Sequence, residues 1–160
     1  MIIHAMPLRL LFFTLAGTLL IGGVSLFSNY NTSIYDEEAY LILPNKAVEL
    51  TVVSTSETRT QGLSGKESLP EDQAMLFVFD DLDKYGIWMK DMKFPIDIIW
   101  LNEKGKIVSI ESDVSPMTYP KVFFPPDKSL FIIEANAGFA QKNKLAVGNI
   151  LDFSRKVTGK

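Results

Sequence analysis

The 160-residue sequence contains no cysteine. Disulfides, thiol catalysis, thiolate metal sites and the lipidated cysteine of a bacterial lipoprotein are therefore excluded. It has a single histidine, His4, close to the N-terminus. The rest of the chain lacks the commonest general base and the commonest metal ligand. Serine and threonine are plentiful, but no imidazole stands by to activate them as nucleophiles. No G-x-G-x-x-G or Walker pattern follows a strand-like run. Positive charge is not in excess either. Sixteen Lys and Arg against 19 Asp and Glu give a formal net charge of −3. That balance offers no field to recruit nucleic acid, and no lysine-rich tract suggests a lipid-binding patch. The residues call for no cofactor and no metal.

What is present is unevenly spread. Residues 10–27 carry no charge and begin LLFFTLAGTLLIGG. The run is longer than a usual secretory core and a little short of the roughly 20 apolar residues of a spanning helix. No Ala-x-Ala site follows it. Gly17, Gly22 and Gly23 are of a kind common in membrane helices. A signal-anchor over residues 1–27 is expected, with a cleaved signal peptide as the alternative. Arg9 precedes the run, and Asp36, Glu37 and Glu38 follow it. The positive-inside bias then keeps the short N-terminus inside and places the remainder outside the cytoplasm. The chain reads as a single-pass cell-membrane protein, or as a secreted or periplasmic one if the signal is cleaved. Residues 28–40 are polar and aperiodic and read as a linker, with a short sequon at Asn31-Thr32-Ser33. Residues 41–160 are enough for one domain.

Within that domain the pattern is of short strands. Val48, Leu50 and Val52 alternate with Glu49, Thr51 and Val53, as in a strand with one buried face. Ser54 and Glu57 have the spacing of a capping box, predicting a short helix to about Gln61 that stops at Gly62. Ala74–Phe79 and Tyr85–Lys90 read as strands. Ile96–Leu101 and Lys106–Ser112 flank Asn102-Glu103-Lys104-Gly105 and predict a hairpin. Four prolines between Pro116 and Pro126 mark a long loop. Leu130–Ala135 is a further strand, Ala137–Asn143 a second short helix carrying Phe139 to the core, and Ile150–Phe153 a last strand. Without regular strand–helix alternation, the expectation is a mainly β domain: a compact antiparallel sandwich or barrel with two short helices behind an N-terminal membrane-targeting helix.

Two carboxylates interrupt apolar strands. Asp97 shares a face with Ile99 and Leu101, and Glu134 with Leu130 and Ile132. An unpaired charge there is costly, so each needs a donor or water. Arg59, Lys90 and Lys93 are the candidate partners. A structural ion pair would explain them. So would a polar pocket in which Arg59 receives an anionic or carbonyl group. Only one of the neighbours Trp88 and Met89 can face inward, whereas Trp100 reads as core. Met89 and Met92 form M-x-x-M, with Met75 and Met117 elsewhere. Thioethers can hold Cu(I), but without His or Cys support core filling is the plainer role.

Several segments together resemble one family. They are TRTQGL around Arg59, Gly62 and Leu63, then LPEDQAMLFVF, then IWMKDMKFPIDIIWLNEKGKIVSI, then IIEANAGFA followed by VGN. In order and spacing they resemble the domain of unknown function 192 family from about Ala47 to Phe153. The resemblance implies a compact β-rich fold, often behind a signal sequence or anchor, and implies no activity. Its pattern stresses Arg59, Gly62, Leu63, Trp88, Met89, Pro95, Asp97, Glu134, Ala137 and Gly138. Ser64 stands where the family commonly has Met, and Met117 where many relatives carry Cys; the second departure counts against a metal or redox role for that loop. The resulting expectation is a membrane-tethered, extracytoplasmic binding or accessory module. Its pocket would comprise Arg59, Asp97 and Glu134 with Trp88 and Met89 at the rim. It would take a small-molecule, glycan or protein ligand. The alternatives are an envelope carbohydrate hydrolase using Asp97 and Glu134 as a carboxylate pair, and a structural assembly partner.

Overall fold

The computed structural model describes residues 37–157, and the side chains of residues 39–153. The expected anchor at residues 10–27 and most of the linker lie outside the described residues. Among the described residues no helix is long and apolar enough to cross a membrane.

In chain order the elements are β1 (Glu37–Leu43), β2 (Lys46–Val53), α1 (Ser56–Gln61), β3 (Gln73–Asp83), β4 (Ile87–Trp88), β5 (Ile96–Leu101), β6 (Ile107–Val114), a 3₁₀ turn (Pro116–Thr118), β7 (Val122–Phe123), β8 (Ser129–Asn136), α2 (Phe139–Lys142) and β9 (Asp152–Val157). Seven strands form one sheet in the order β6-β5-β8-β3-β2-β1-β9, and β4 and β7 form a separate ribbon. The domain is mainly β with two short helices, as expected. The sheet is not wholly antiparallel: β2 and β3 run parallel, with Leu50 opposite Ala74 and Val52 opposite Leu76. Antiparallel neighbours need only a tight turn, whereas this pair is joined by α1 and a long loop. The strand pairing also begins earlier than the sequence suggests. β1 starts at Glu37, inside the stretch read as linker, and pairs with β2 and β9.

The sheet curls. Its end strands in the pairing order approach each other where Lys106 bridges Ile150 and the Leu151 N–H donates to the Gly105 carbonyl at 2.9 Å. One apolar cluster accordingly joins residues from both ends: Leu41 and Val48 with Ile99, Leu101, Ile107 and Ile133. α2 seals it with Phe139 and Ala140. The opposite face carries a second cluster, built on Met75, Phe77, Ile98, Trp100 and Ile132 and covered by Leu63, Ile87, Met89 and Phe123. Strand alternation divides the two. Ala74 and Leu76 enter the first cluster, and Met75 and Phe77 the second. Both faces of β3, β5 and β8 are thus buried, so these strands read as nearly continuous apolar runs. In β2 the alternation breaks at its end, where Val53 is buried and Val52 is exposed, reversing the expectation for Val52.

Trp100 is a core residue as expected. It is fully buried, and its indole N–H donates to the Tyr85 carbonyl at 2.9 Å. The β5–β6 hairpin also forms as expected. The Asn102 side-chain oxygen accepts from the Lys104 and Lys106 N–H groups, each at 3.0 Å.

Candidate functional site

The covered second face leaves an opening between α1 and the segment leading into β4. α1 begins one residue later than the sequence suggested. Its cap is Thr55, not Ser54, and the reciprocal partner is Thr58, not Glu57. Threonine at both positions allows each hydroxyl to accept the other residue's N–H, at 3.2 and 3.1 Å. The shift places Arg59 in the last turn, over the middle of β3. Its Nη1 donates to the Ser54 carbonyl at 2.5 Å and to the Val78 carbonyl at 2.8 Å. The guanidinium lies 4.9 Å from the centre of the Phe79 ring, which stacks on Tyr85 with centroids 3.5 Å apart. Nη1 is thereby saturated, while Nε and Nη2 donate to none of the described residues. Among the described residues the ion pairs are Lys93–Glu67 and Lys142–Glu71, so Arg59 has no carboxylate partner.

α1 ends at Gly62, where φ is 48° and ψ is −132°. Side chains other than glycine avoid this conformation, and a Cβ here would lie 3.2 Å from the Phe77 ring. Across the opening, a Cβ on Gly86 would fall 2.5 Å from the Phe124 ring and 2.6 Å from Val122. The missing side chain lets β7 and Phe124 close directly on the backbone before Trp88.

These elements bound a cavity of about 360 Å³, with Arg59, Leu63, Phe77, Tyr85, Trp88 and Glu134 in its wall. Glu134 lies at its base. It is opposite Ile98 on β5 and Met75 on β3, and is only 5% exposed. No described residue makes a hydrogen bond or an ion pair with its carboxyl. Burial among apolar neighbours pushes its pKa up to about 8, so at neutral pH it is mostly the uncharged acid, a hydrogen-bond donor. Trp88 stands at the mouth, 46% exposed. The edge of Tyr119 meets it at 6.1 Å, and Lys90 Nζ is 5.9 Å from its ring. A shallower depression sharing Ser64 and Trp88 continues outward past Lys90 and Asp91.

Of the five residues singled out from sequence, Arg59, Trp88 and Glu134 meet at this cavity and two do not. Met89 is 1% exposed and packs in the second cluster. With Trp88 facing outward, its neighbour on so short a strand must face inward. Met92 takes the wall position expected of Met89. Asp97 is on the other face of the sheet. Its carboxylate accepts the backbone N–H groups of Asp113 (2.9 Å), Gly138 (3.1 Å) and Ala140 (2.8 Å). It fastens the irregular pairing of β5 with β6 and the start of α2. Asp97 and Glu134 therefore form no ion pair with Arg59, Lys90 or Lys93. Separated by the sheet, they cannot flank one glycosidic bond as the hydrolase alternative requires. The aromatic wall of Phe77, Phe79 and Tyr85 went unread in the sequence. Phe77 is two residues from Met75 on the Glu134 side of the sheet, and that parity was its one available signal. Among the described residues no group of three or more His, Cys, Asp or Glu could hold a metal. The methionines also diverge: Met75 and Met89 are buried, while Met117 is 92% exposed.

Two solved structures share this fold. One, from Sinorhizobium meliloti 1021 and put forward as a transcription regulator, is 22% identical, with a TM-score of 0.67 over 73% of this chain and 92% of that one. The other, a protein of unknown function from Novosphingobium aromaticivorans DSM 12444, is 19% identical, with a TM-score of 0.64 over 72% of this chain and 83% of that one. At these identities the likeness concerns the fold. No curated protein matches the chain. The family model DUF192, Uncharacterized ACR, matches residues 41–153. That span holds every strand from β2 to β8 and the whole cavity, and the chain belongs to the DUF192 family.

Proposed function

We propose that this protein is a binding module. It is tethered to the membrane through residues 10–27, holds its β domain outside the cytoplasm, and receives a small organic ligand in the cavity between α1 and β4. One observation carries the reading. Arg59 and Glu134 bring two polar groups, neither in an ion pair among the described residues, into one aromatic-walled concavity. Ligand sites combine a mainly apolar lining with a few convergent polar groups, and their volumes run from about 300 to 1,000 Å³. A group kept buried and unpartnered destabilises the fold, which is more readily understood at a site than in a core. The uncharged run at residues 10–27 and the flanking charges support the tether and its orientation.

Amide chemical-shift mapping of the full chain in a nonionic detergent, against a small-molecule library, tests the binding site. Bound compounds are expected to move the Gly62 and Leu63 amides and the Trp88 indole signal. A library whose binders move other surfaces and leave these three unchanged overturns it. Membranes from expressing cells test the tether. The protein should stay in the pellet through an alkaline wash, and the β domain should be cut by protease added from outside. Release into the wash or full protection would overturn the placement.

A further inference from the structure

The chemistry of the cavity narrows the ligand class. Among the described residues Arg59 is held by Nη1 alone, leaving Nε and Nη2 as two adjacent donors on one edge of a planar cation. That edge suits a two-oxygen anion better than a single carbonyl. Glu134 and Arg59 line the same cavity and form no ion pair with each other. The groups facing Glu134 are few. From α1 comes the Arg59 cation, and from the segment before β4 comes Tyr85, whose hydroxyl is already donated to the Asp81 carbonyl at 2.6 Å. The strands on either side present Met75, Phe77 and Ile98, none of which is titratable. A carboxyl in such surroundings favours its protonated form and donates one hydrogen bond. The remaining wall is aromatic or aliphatic and suits a ring or short hydrocarbon.

We propose that the cavity takes a small monocarboxylate with an apolar or aromatic body, its carboxylate bridging the Arg59 guanidinium and the Glu134 side chain. This rests on the binding reading above and deepens it. Its logic is one of charge. Arg59 neutralises the ligand, and Glu134 joins by donating a proton it does not release. An amine would call for the opposite state, with Glu134 ionised, and would compete with Arg59. A neutral amide would satisfy Glu134 but leave the charge of Arg59 unmatched.

Calorimetry on the full chain in nonionic detergent, with phenylacetate, phenylacetamide and phenethylamine as probes, separates these cases. At about pH 6.5 phenylacetate should bind about ten-fold or more tightly than phenylacetamide, and Arg59→Ala should remove that advantage. Raising the pH to about 9.5 should weaken phenylacetate by about ten-fold or more, as Glu134 ionises beside it. Glu134→Gln, which still donates but does not titrate, should keep the affinity at about pH 6.5 and abolish the pH dependence. Affinity for phenylacetate that is indifferent to Arg59→Ala, or that holds to about pH 9.5, overturns the proposal. Phenethylamine binding that tightens with rising pH also overturns it, while leaving the cavity as a binding site. If no probe binds and the library moves no cavity signal, the binding reading itself falls.

Discussion

Asp97 and Glu134 sit one register apart on the same antiparallel strand pair, Asp97 opposite Ala135 and Glu134 opposite Ile98, and their carboxyls emerge on opposite faces of the sheet. This offset gives two similar sequence anomalies two different fates. Asp97 is fully buried and accepts three backbone N–H groups, whereas Glu134 meets no donor among the described residues and opens on a cavity.

The fate of Asp97 is a matter of stability. Asp97→Ala leaves three N–H groups without their acceptor, two of them at the start of α2. The expected loss is about 3–5 kcal/mol, read from chemical denaturation, given that each charge-assisted hydrogen bond is worth about 1.5–3 kcal/mol and the losses overlap. Asp97→Asn keeps one oxygen and should cost less. A loss under about 1 kcal/mol for the alanine variant would mean that water replaces the carboxylate and that the side chain fastens nothing.

The fate of Glu134 appears in the pH dependence of folding. Its carboxyl rises from 4.5 to about 8 on folding because burial disfavours the charge. The folded state therefore holds the proton more tightly than the unfolded chain. The stability linked to this proton is fully present below about pH 4.5 and is lost as pH rises through about 8. A shift of this size corresponds to roughly 5 kcal/mol at most. Glu57 and Glu71, held below the usual range by hydrogen bonds from a backbone N–H and from Lys142 respectively, act in the opposite sense and only below about pH 4.5. Glu134→Gln should thus flatten the stability profile between about pH 5 and 9 and leave the variant about 2–4 kcal/mol more stable than wild type at the alkaline end. Parallel profiles for the two proteins would place the Glu134 carboxyl in contact with bulk water.

Arg59 falls between two simple cases. A buried ion pair, broken by Arg59→Ala, would cost about 3–5 kcal/mol, and a fully solvated arginine under about 0.5 kcal/mol. Arg59 makes two backbone hydrogen bonds and a ring contact but no ion pair. The expected loss is about 1–2 kcal/mol. A value above about 3 kcal/mol would indicate a carboxylate partner in solution, with Glu134 the candidate.

Much of this arrangement was legible in the chain, for local reasons. Asn102 and Gly105 prescribe the hairpin, period-2 alternation identifies β2, and apolar runs of strand length identify β3, β5 and β8. Within each strand, parity also assigned Asp97 and Glu134 to their correct companions. What parity cannot supply is the register between strands, and it is register that puts Glu134 beside Ile98 and Met75 and separates it from Asp97. The parallel pairing of β2 with β3 escaped for the same reason, since it depends on where a long crossover returns. The first residues of β1, 37–40, read as linker because the stretch from 28 to 40 is polar and aperiodic, although β1 pairs on both sides, with β2 and β9. Arg59 is placed near the site as a candidate partner for the two strand carboxylates, and the family resemblance stresses the same position. Its partners at Ser54 and Val78 are backbone carbonyls, and no side-chain pattern records those.

Gly62 joins the fold to the cavity most directly. It ends α1, aligns Arg59 and Leu63 on either side, and lies against Phe77 at the floor. Gly62→Ala must either adopt a strained backbone, at a cost of about 1–3 kcal/mol, or move the end of the helix. With the backbone in place, the methyl group also presses on the Phe77 ring at 3.2 Å, and the floor must give by a few tenths of an ångström. The expected result is a loss of about 2–3 kcal/mol in denaturation, with a changed Trp88 signal as α1 shifts. Trp100, the other tryptophan, reports from the core and should keep its buried emission, which distinguishes a reshaped cavity from general loosening. If stability is unchanged, the helix terminus tolerates a side chain in solution. The close approach of Gly62 to Phe77 would then have no part in shaping the site.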